Sequence, residues 1–234
     1  MSWSDNRRGR RNYHHGNLRE ALIQGVLDLI AAKGAAGLTI AEAARAAGVS
    51  SAAPYRHFRD REALLAEVAR RGFELFEAQL SNAWQHGQPD PITAFGRMGA
   101  AYLGFARAEP AYYAAMFEAG VPSDVDPALR QAGDRAFAVV RDAAERVVAL
   151  VPPTQRPPAL MVALHVWSLA HGIASLFARA DSARRPLPMS PEELLEAGVL
   201  LYLRGFGLAG GPPPTAAGAE PPRAGPWGPM SNPR

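Results

Sequence analysis

The sequence has 234 residues, of which 48% are hydrophobic and 20% charged, and it contains no cysteine. This length suffices for one large domain or two smaller ones, and the composition is typical of globular rather than disordered chains. The lack of cysteine excludes disulfides, thiolate metal sites and cysteine nucleophiles. The N-terminus lacks the apolar core of a signal peptide, and no apolar run approaches the ~20 residues that cross a bilayer. We therefore expect a cytoplasmic protein without a membrane partner.

The net charge of +3 is unevenly distributed along the chain. Residues 1–71 carry 12 Lys and Arg against 7 Asp and Glu, whereas residues 72–234 carry 13 against 15. Such asymmetry is typical of a polyanion-binding module attached to a neutral body. A solvated basic face would give the same mild bias, so the charge alone does not decide between the two interpretations.

The first residues form a basic segment that contains Arg7, Arg8, Arg10 and Arg11. It is too polar to pack, which predicts a flexible arm over residues 1–16. Beside a DNA-binding unit, such an arm can lie along phosphates or enter a minor groove. A plain solubilising tail is the alternative.

Residues 39–58, TIAEAARAAGVSSAAPYRHF, predict two short helices joined by a glycine turn. Thr39 and Glu42 have the capping-box spacing, Gly48 stands where a left-handed cap is needed, and Pro54 would lie in the first turn of the second helix. Two helices joined in this way form a helix-turn-helix, whose second helix enters a major groove.

An amphipathic helix that starts at Asn17 and is closed by Gly34 is expected to pack across this pair. The expected core of the resulting three-helix unit consists of apolar residues from all three segments: Leu22, Val26, Leu29, Ile40, Ala43, Val49, Tyr55 and Phe58.

Downstream residues predict a long connector helix from about Arg61 to Trp84, because its apolar face is wide enough to contact two bodies. No later segment alternates as a strand does, which predicts an all-α fold of about nine helices. The Gly/Pro-rich end, residues 210–234, is expected to be disordered. Further helices are expected at 92–107, from 110, from 127 to about 150, at 157–179 and at 191–208.

The segment from about Leu18 to Leu65, which contains the predicted helix-turn-helix, resembles the tetracycline-repressor-like (TetR) family of transcriptional regulators. One position departs from the family pattern: Arg61 stands in place of the usual lysine and keeps its charge. Farther along, Trp167, His171 and Gly172 resemble the Trp-His-Gly type of C-terminal domain. The N-terminal resemblance runs from about Leu18 to Leu65 and rests on Gly37-Leu38-Thr39-Ile40, Ala43, Ala47-Gly48-Val49-Ser50, Tyr55-Arg56-His57-Phe58 and Glu62-Ala63-Leu64-Leu65.

The resemblance implies an all-α homodimer whose C-terminal domain binds a small molecule and whose last two helices form the dimer interface. The helices 157–179 and 191–208 agree with this, since both are apolar on more than one face; core helices of a large monomer are the alternative. The domains expected are an arm at 1–16, a helix-turn-helix domain at 17–62, an effector-binding and dimerisation domain at 63–209, and a tail at 210–234.

The resemblance and the side-chain chemistry together assign DNA contacts to one segment and its flanks. Tyr55, His57, Thr39 and Arg61 match the family's backbone-contacting residues, whereas small side chains on the recognition helix suit base edges and thymine methyls. Arg56 either reads a guanine or is solvated, and Tyr55 packs in the core in the alternative reading. The predicted DNA-binding residues are Thr39, Ser50, Ser51, Ala52, Tyr55, Arg56, His57 and Arg61.

Aromatic and methionine side chains are concentrated in the C-terminal half, where they form either an ordinary core or an apolar effector pocket. His171 either hydrogen-bonds a ligand or is a satisfied structural histidine. The predicted pocket residues are Phe95, Met98, Tyr102, Phe105, Tyr113, Met116, Phe117, Phe137, Trp167 and His171.

Enzymatic and metal-binding patterns are missing from the sequence. His14 and His15 are adjacent, His165 and His171 fall on different helix faces, and no HExxH, GxSxG or P-loop pattern occurs. We therefore expect no enzyme activity, no metal and no cofactor.

The function predicted is that of a homodimeric repressor that binds a palindromic double-stranded operator and is released by a small apolar or aromatic effector. The effector would act by shifting the connector helix. A regulator without effector, an activator, or a helical ligand carrier or enzyme are the alternatives. A fully packed interior among the aromatics would favour the regulator without effector.

Overall fold

The computed structural model describes residues 18–122, 126–177 and 189–208. The described residues form eight α-helices and no strand, which confirms the all-α prediction. The basic arm and the Gly/Pro-rich tail lie outside the described residues. The helices are α1 Leu18–Lys33, α2 Ile40–Ala46, α3 Arg61–Trp84, α4 Pro91–Ala108, α5 Pro110–Phe117, α6 Pro127–Val148, α7 Ala159–Phe177 and α8 Pro191–Arg204.

Helix α2 has the caps that its sequence predicts. Thr39 accepts a hydrogen bond from the Glu42 amide at 3.3 Å, and the Glu42 carboxylate accepts one from the Thr39 amide at 2.9 Å. At the other end, Gly48 has φ +69°, and the amide of Val49 bonds to the carbonyl of Ala44 at 2.9 Å. This Schellman geometry requires a left-handed residue, which glycine supplies without a steric penalty.

The second helix of the predicted pair is shorter than expected. Residues 51–53 form a turn, and only Pro54–Arg56 is helical, as a single 3-10 turn. Pro54 has no amide hydrogen to donate, which limits the hydrogen bonds that this short segment can form. The short second helix that the sequence predicts is thus reduced to one 3-10 turn, and the turn and the exposed segment lie where the sequence places them.

The chain divides into two compact units, and the divisions fall inside α3 and α6. The first unit comprises Met1–Ala78 and Ala108–Ala138, and the second comprises Gln79–Arg107 and Val139–Arg234. The predicted domain boundary at residues 62 and 63 remains a prediction.

The first unit has a large apolar core and a smaller buried cluster formed by Ala66, Ala69 and Leu129. Phe58 is buried as predicted, but Tyr55 is 58% exposed and takes no part in this core. Helix α5, for which no core role in this unit was predicted, contributes Ala114 and Ala115. The buried core residues are Leu22, Ile23, Val26, Leu27, Ile30, Ala35, Leu38, Ala43, Ala47, Phe58, Leu64, Leu65, Val68, Ala114 and Ala115.

A buried carboxylate joins α1 to α3 in this unit. Glu67 is only 6% exposed and accepts hydrogen bonds from Arg19 at 2.7 Å, from Arg70 at 2.8 and 2.9 Å, and from Arg71 at 2.8 Å. Arg71 also donates two bonds of 2.5 Å to Glu20 on α1. Burial raises the pKa of Glu67, but the hydrogen bonds from the three arginines outweigh burial, so its pKa lies well below the usual range.

In the second unit, α7 and α8 pack closely. The side chain of Leu169 lies against Gly198, where an added Cβ would come within 2.8 Å of it. His165 Nδ1 and the Tyr202 hydroxyl are 2.9 Å apart and form a second link between the same helices.

Helix α7 is also long and apolar enough, by length and composition, to cross a membrane. The expectation that no segment reaches this length is therefore wrong. One such helix is weak evidence for a membrane span, since the core helix of a soluble protein passes the same test.

Candidate nucleic-acid interface and ligand cavities

The segment between α2 and α3 presents its polar side chains to solvent. Ser50, Ser51, Tyr55, Arg56 and His57 are all exposed, and none of their side chains hydrogen-bonds to another described residue. Ala52 is exposed between them. The structure thus brings six of the eight predicted DNA-binding residues together on one short surface segment with free donors and acceptors.

The two flanking residues of the prediction have internal partners. The Thr39 hydroxyl donates to Glu42 at 2.9 Å as part of the α2 cap. Hydrogen bonds from Lys33 and Thr39 lower the pKa of Glu42 to about 2. Arg61 donates from Nε to the Leu38 carbonyl at 2.5 Å and from Nη2 to the Ala35 carbonyl at 3.3 Å.

Arg61 therefore ties the start of α3 to the turn before α2. The sequence interpretation gave this side chain only a phosphate contact, because a hydrogen bond to a backbone 23 residues away is invisible in sequence spacing.

The ten predicted effector residues are distributed over both compact units. Tyr113, Met116, Phe117 and Phe137 belong to the first unit, and the other six belong to the second. In the first unit, the centroids of the Tyr113 and Phe117 rings lie 4.8 Å apart, and the ring planes are tilted by 55°. The aromatic residues of this half thus contribute to two separate interiors.

The aromatic cluster of the second unit is almost completely packed. Tyr102 and Trp167 meet edge to face at 5.4 Å, and the Tyr102 hydroxyl lies 3.1 Å from Nδ1 of His171. Phe95, Met98, Tyr102 and Trp167 border a cavity of about 20 Å³, roughly the room that one water occupies. His171 is thus hydrogen-bonded within the protein, and the cluster offers no space for an organic ligand.

Larger cavities border other described residues, and two of them bear on the prediction. One, of about 310 Å³, is in the first unit between α3, α5 and α6, and Phe73, Met116 and Gly133 border it. The other, of about 470 Å³, is a groove between α4 and α8 in the second unit. Of the predicted pocket residues, only Met116 borders the first cavity and only Phe95 borders the second.

The sequence interpretation missed the groove because its lining is aliphatic and small rather than aromatic. Gly96, Gly99 and Ala100 recur at helical spacing on α4, which was the available signal. Among the described residues, no group of three or more His, Asp or Glu side chains is placed to hold a metal ion.

An all-α chain that holds an exposed polar segment between a doubly capped helix and a long helix has the architecture of a helix-turn-helix DNA-binding protein. Two family models match the chain: "Bacterial regulatory proteins, tetR family" over residues 22–68, and "Tetracyclin repressor-like, C-terminal domain" over residues 95–202. Together the two matches span more than half of the sequence. The comparison with curated proteins found no match.

Solved structures with the same fold cover most of the chain. A protein of unknown function from Rhodococcus sp. RHA1 is 29% identical, with a TM-score of 0.68 over 84% of this chain and 98% of that one. The TetR-family regulator PfmR from Thermus thermophilus is 22% identical, with a TM-score of 0.62 over 78% and 97%. A TetR-family regulator from Bordetella parapertussis is also 22% identical, with a TM-score of 0.62 over 82% and 97%.

The chain belongs to the TetR family and is a DNA-binding transcriptional regulator. TetR-family regulators are soluble, non-enzymatic DNA-binding proteins that dimerise and bind operators.

Proposed function

We propose that the protein is a cytoplasmic homodimeric repressor that binds a palindromic operator and leaves it when a small apolar or aromatic effector binds. The exposed segment from Ser50 to His57 is the observation that carries this proposal, because its side chains have no internal partners to satisfy them. Two copies related by two-fold symmetry would present this segment to half-sites about one DNA turn apart.

Within that segment, Ser50, Ser51, Ala52 and Arg56 are proposed to contact base edges, and Tyr55 and His57 to contact phosphates. Thr39 and Arg61 flank the segment and are also proposed to contact phosphates. Arg61 keeps guanidinium donors beyond its two internal bonds, whereas the Thr39 hydroxyl would have to turn away from Glu42 to donate to a phosphate. In this proposal specificity falls on the small side chains and Arg56, and positioning falls on Tyr55, His57 and the two flanking residues.

The dimer interface is proposed to lie on α7 and α8, the described parts of the helices predicted at 157–179 and 191–208. In the single chain these helices leave large apolar side chains in water, which is costly unless a partner covers them. The exposed residues are Leu160, Met161, Leu164, Leu169, Leu176 and Leu201.

Replacing Leu164 with glutamate is expected to convert the dimer to a monomer, because it places a charge in the middle of this apolar face. Light scattering coupled to size exclusion would report the mass. Leu75→Glu is the matched control: Leu75 on α3 is 47% exposed against 48% for Leu164, and its replacement should leave the mass unchanged. A monomeric Leu75→Glu variant, or a dimeric Leu164→Glu variant, would contradict the proposed interface.

A regulator without effector is the second candidate, and one observation favours it. The aromatic cluster around Tyr102, where the sequence interpretation placed the effector, leaves a cavity of only about 20 Å³. The effector-responsive function is retained because the same unit contains the groove of about 470 Å³, which lies within the size range of small-molecule sites.

Selection of bound sequences from a random DNA pool tests the proposal as a whole. The expected result is an enriched palindrome whose half-sites lie about one turn apart. Placing that sequence upstream of a reporter gene should lower expression when the protein is present. Enrichment of no sequence would contradict operator binding, and raised expression would identify an activator.

A further inference from the structure

The groove between α4 and α8 is formed by two antiparallel helices within the second unit. Arg107, near the end of α4, pairs with Glu192 at the start of α8, and a Cβ at Gly99 would lie 3.1 Å from the Leu195 side chain. Farther along, the helices leave the groove of about 470 Å³ open. The groove and the small cavity inside the aromatic cluster are separate volumes. Phe95, Gly99 and Val166 border both of them.

The groove has an apolar floor, and Gly96, one of the residues that line it, has no side chain to fill it. Phe95, Val166, Leu195 and Val199 are buried beneath it. At Gly96 an added Cβ would meet no atom within 4 Å, so the α4 backbone itself borders empty space. Such a floor suits an extended hydrocarbon or a flat apolar body, because burying apolar surface away from water is favourable.

The rims of the groove carry two glutamates on α8 and one arginine on α4, and these differ in whether they form ion pairs. Glu192 on α8 is paired with Arg107, and Glu196 is exposed to solvent. Arg97 on the α4 rim forms no ion pair with any residue that the structure describes. Of its donors, Nη2 bonds to the Gln88 carbonyl, whereas Nε is buried and has no acceptor.

Such a buried donor without an acceptor is unfavourable, because folding removes its hydrogen bond to water and supplies none in return. Asp90, the acid just before α4, interacts electrostatically with Arg97 but forms no ion pair with it, and one of its carboxylate oxygens accepts the amides of Ile92 and Thr93 as the cap of that helix. The groove therefore combines an apolar floor with a guanidinium that retains a buried, unsatisfied donor.

We propose that this groove binds an apolar carboxylic acid, whose hydrocarbon lies over the floor beside Gly96 and whose carboxylate pairs with the Arg97 guanidinium. Guanidinium and carboxylate form strong charge-assisted hydrogen bonds, and the flexible arginine stem allows its remaining donors to turn toward a ligand at the rim. The inference locates the effector site of the proposed function and gives the chemical class of the effector. Binding in the groove does not depend on the proposed function; only the release of DNA on binding rests on it.

Calorimetric titration of the full chain with decanoate tests the assignment. Gly96→Phe fills the groove from a position where nothing opposes the new side chain, and it should abolish binding. Gly96→Ala is the matched control: it adds one methyl group in the same open space and should leave affinity within about twofold. Circular dichroism would establish that both variants are folded.

The charge of the ligand is tested with Arg97→Gln and with two further probes. Arg97→Gln should weaken decanoate binding by about ten- to a hundredfold, the value of a charge-assisted hydrogen bond, and leave binding of decanol nearly unchanged. Tighter binding of decyltrimethylammonium than of decanoate would overturn the assignment and make Glu196 the anchor.

Three other results would also overturn it: no decanoate binding by the wild-type protein, equal binding by Gly96→Phe, or a changed oligomeric mass in Gly96→Phe. The last would identify a second copy of the chain as the occupant. A parallel titration follows operator DNA with decanoate present. Decanoate that binds in the groove without releasing DNA leaves the groove assignment intact and contradicts only its role as the effector site.

Discussion

Replacing Glu67 with glutamine is expected to lower the free energy of unfolding by about 3 kcal/mol, because removal of one partner from a buried ion cluster leaves the other charges uncompensated. Arg19, Arg70 and Arg71 all donate to this carboxylate. Since Arg19 lies on α1 and Glu67 on α3, the change loosens the unit that carries the exposed DNA-binding segment. Urea unfolding followed by circular dichroism measures the difference.

The control is Glu62→Gln, the same substitution at an exposed position of the same helix, which should cost less than about 1 kcal/mol.

The pH dependence of the free energy of unfolding supplies a second readout. A depressed pKa means that the stability contributed by Glu67 is complete above its ordinary value of 4.5 and declines as the pH falls below it. The Glu67→Gln variant should therefore lose stability less steeply under acid conditions. An unchanged acid profile would contradict the role given to this carboxylate.

Replacing Arg56 with alanine is expected to weaken operator binding roughly thirtyfold or more, since a lost base contact is worth about 1–3 kcal/mol in each of two half-sites. The Arg56 side chain is exposed and hydrogen-bonds to no other described residue, so its removal should leave the melting temperature unchanged. Fluorescence anisotropy with labelled operator DNA gives the affinity, and a salt titration separates base from phosphate contacts.

Arg61→Ala is the contrasting variant, because the same substitution five positions later removes two internal hydrogen bonds. It should lower the free energy of unfolding by about 1–3 kcal/mol, the cost of leaving the Leu38 and Ala35 carbonyls unsatisfied. A stable Arg61→Ala protein would show that these bonds matter little. Full operator affinity in Arg56→Ala would leave that side chain as an ordinary solvated arginine.

The sequence predicted the helices well where caps and prolines mark their ends. Helix α3 runs from Arg61 to Trp84 as expected, and Thr39, Glu42 and Gly48 cap α2 as their spacing requires. These features are local, so a short window of residues contains the information. The recognition segment was misjudged because Pro54 was treated only as a tolerated first-turn residue, whereas the segment around it forms little more than a turn.

The ligand site was poorly predicted for a different physical reason. Composition identified where aromatic residues are dense, but a cavity is the volume that packing leaves unfilled. Tyr102, Trp167 and His171 satisfy one another and fill their interior, whereas the open volume occurs where glycines on α4 face α8. Helical spacing alone does not distinguish these outcomes, because both sets of residues recur with it; only the small size of Gly96, Gly99 and Ala100 marks the open side.

The unpartnered polar side chains of residues 50–57 have a consequence for how this regulator can diverge. Because the side chains of Ser50, Ser51 and Arg56 form no internal hydrogen bonds, a substitution among them would alter operator recognition while costing the fold little. Gene duplication followed by a few changes in this segment would give a second regulator with a new operator and the same scaffold. Selection can therefore change these three side chains with little penalty to folding, whereas changes at Thr39 and Arg61 also remove internal bonds.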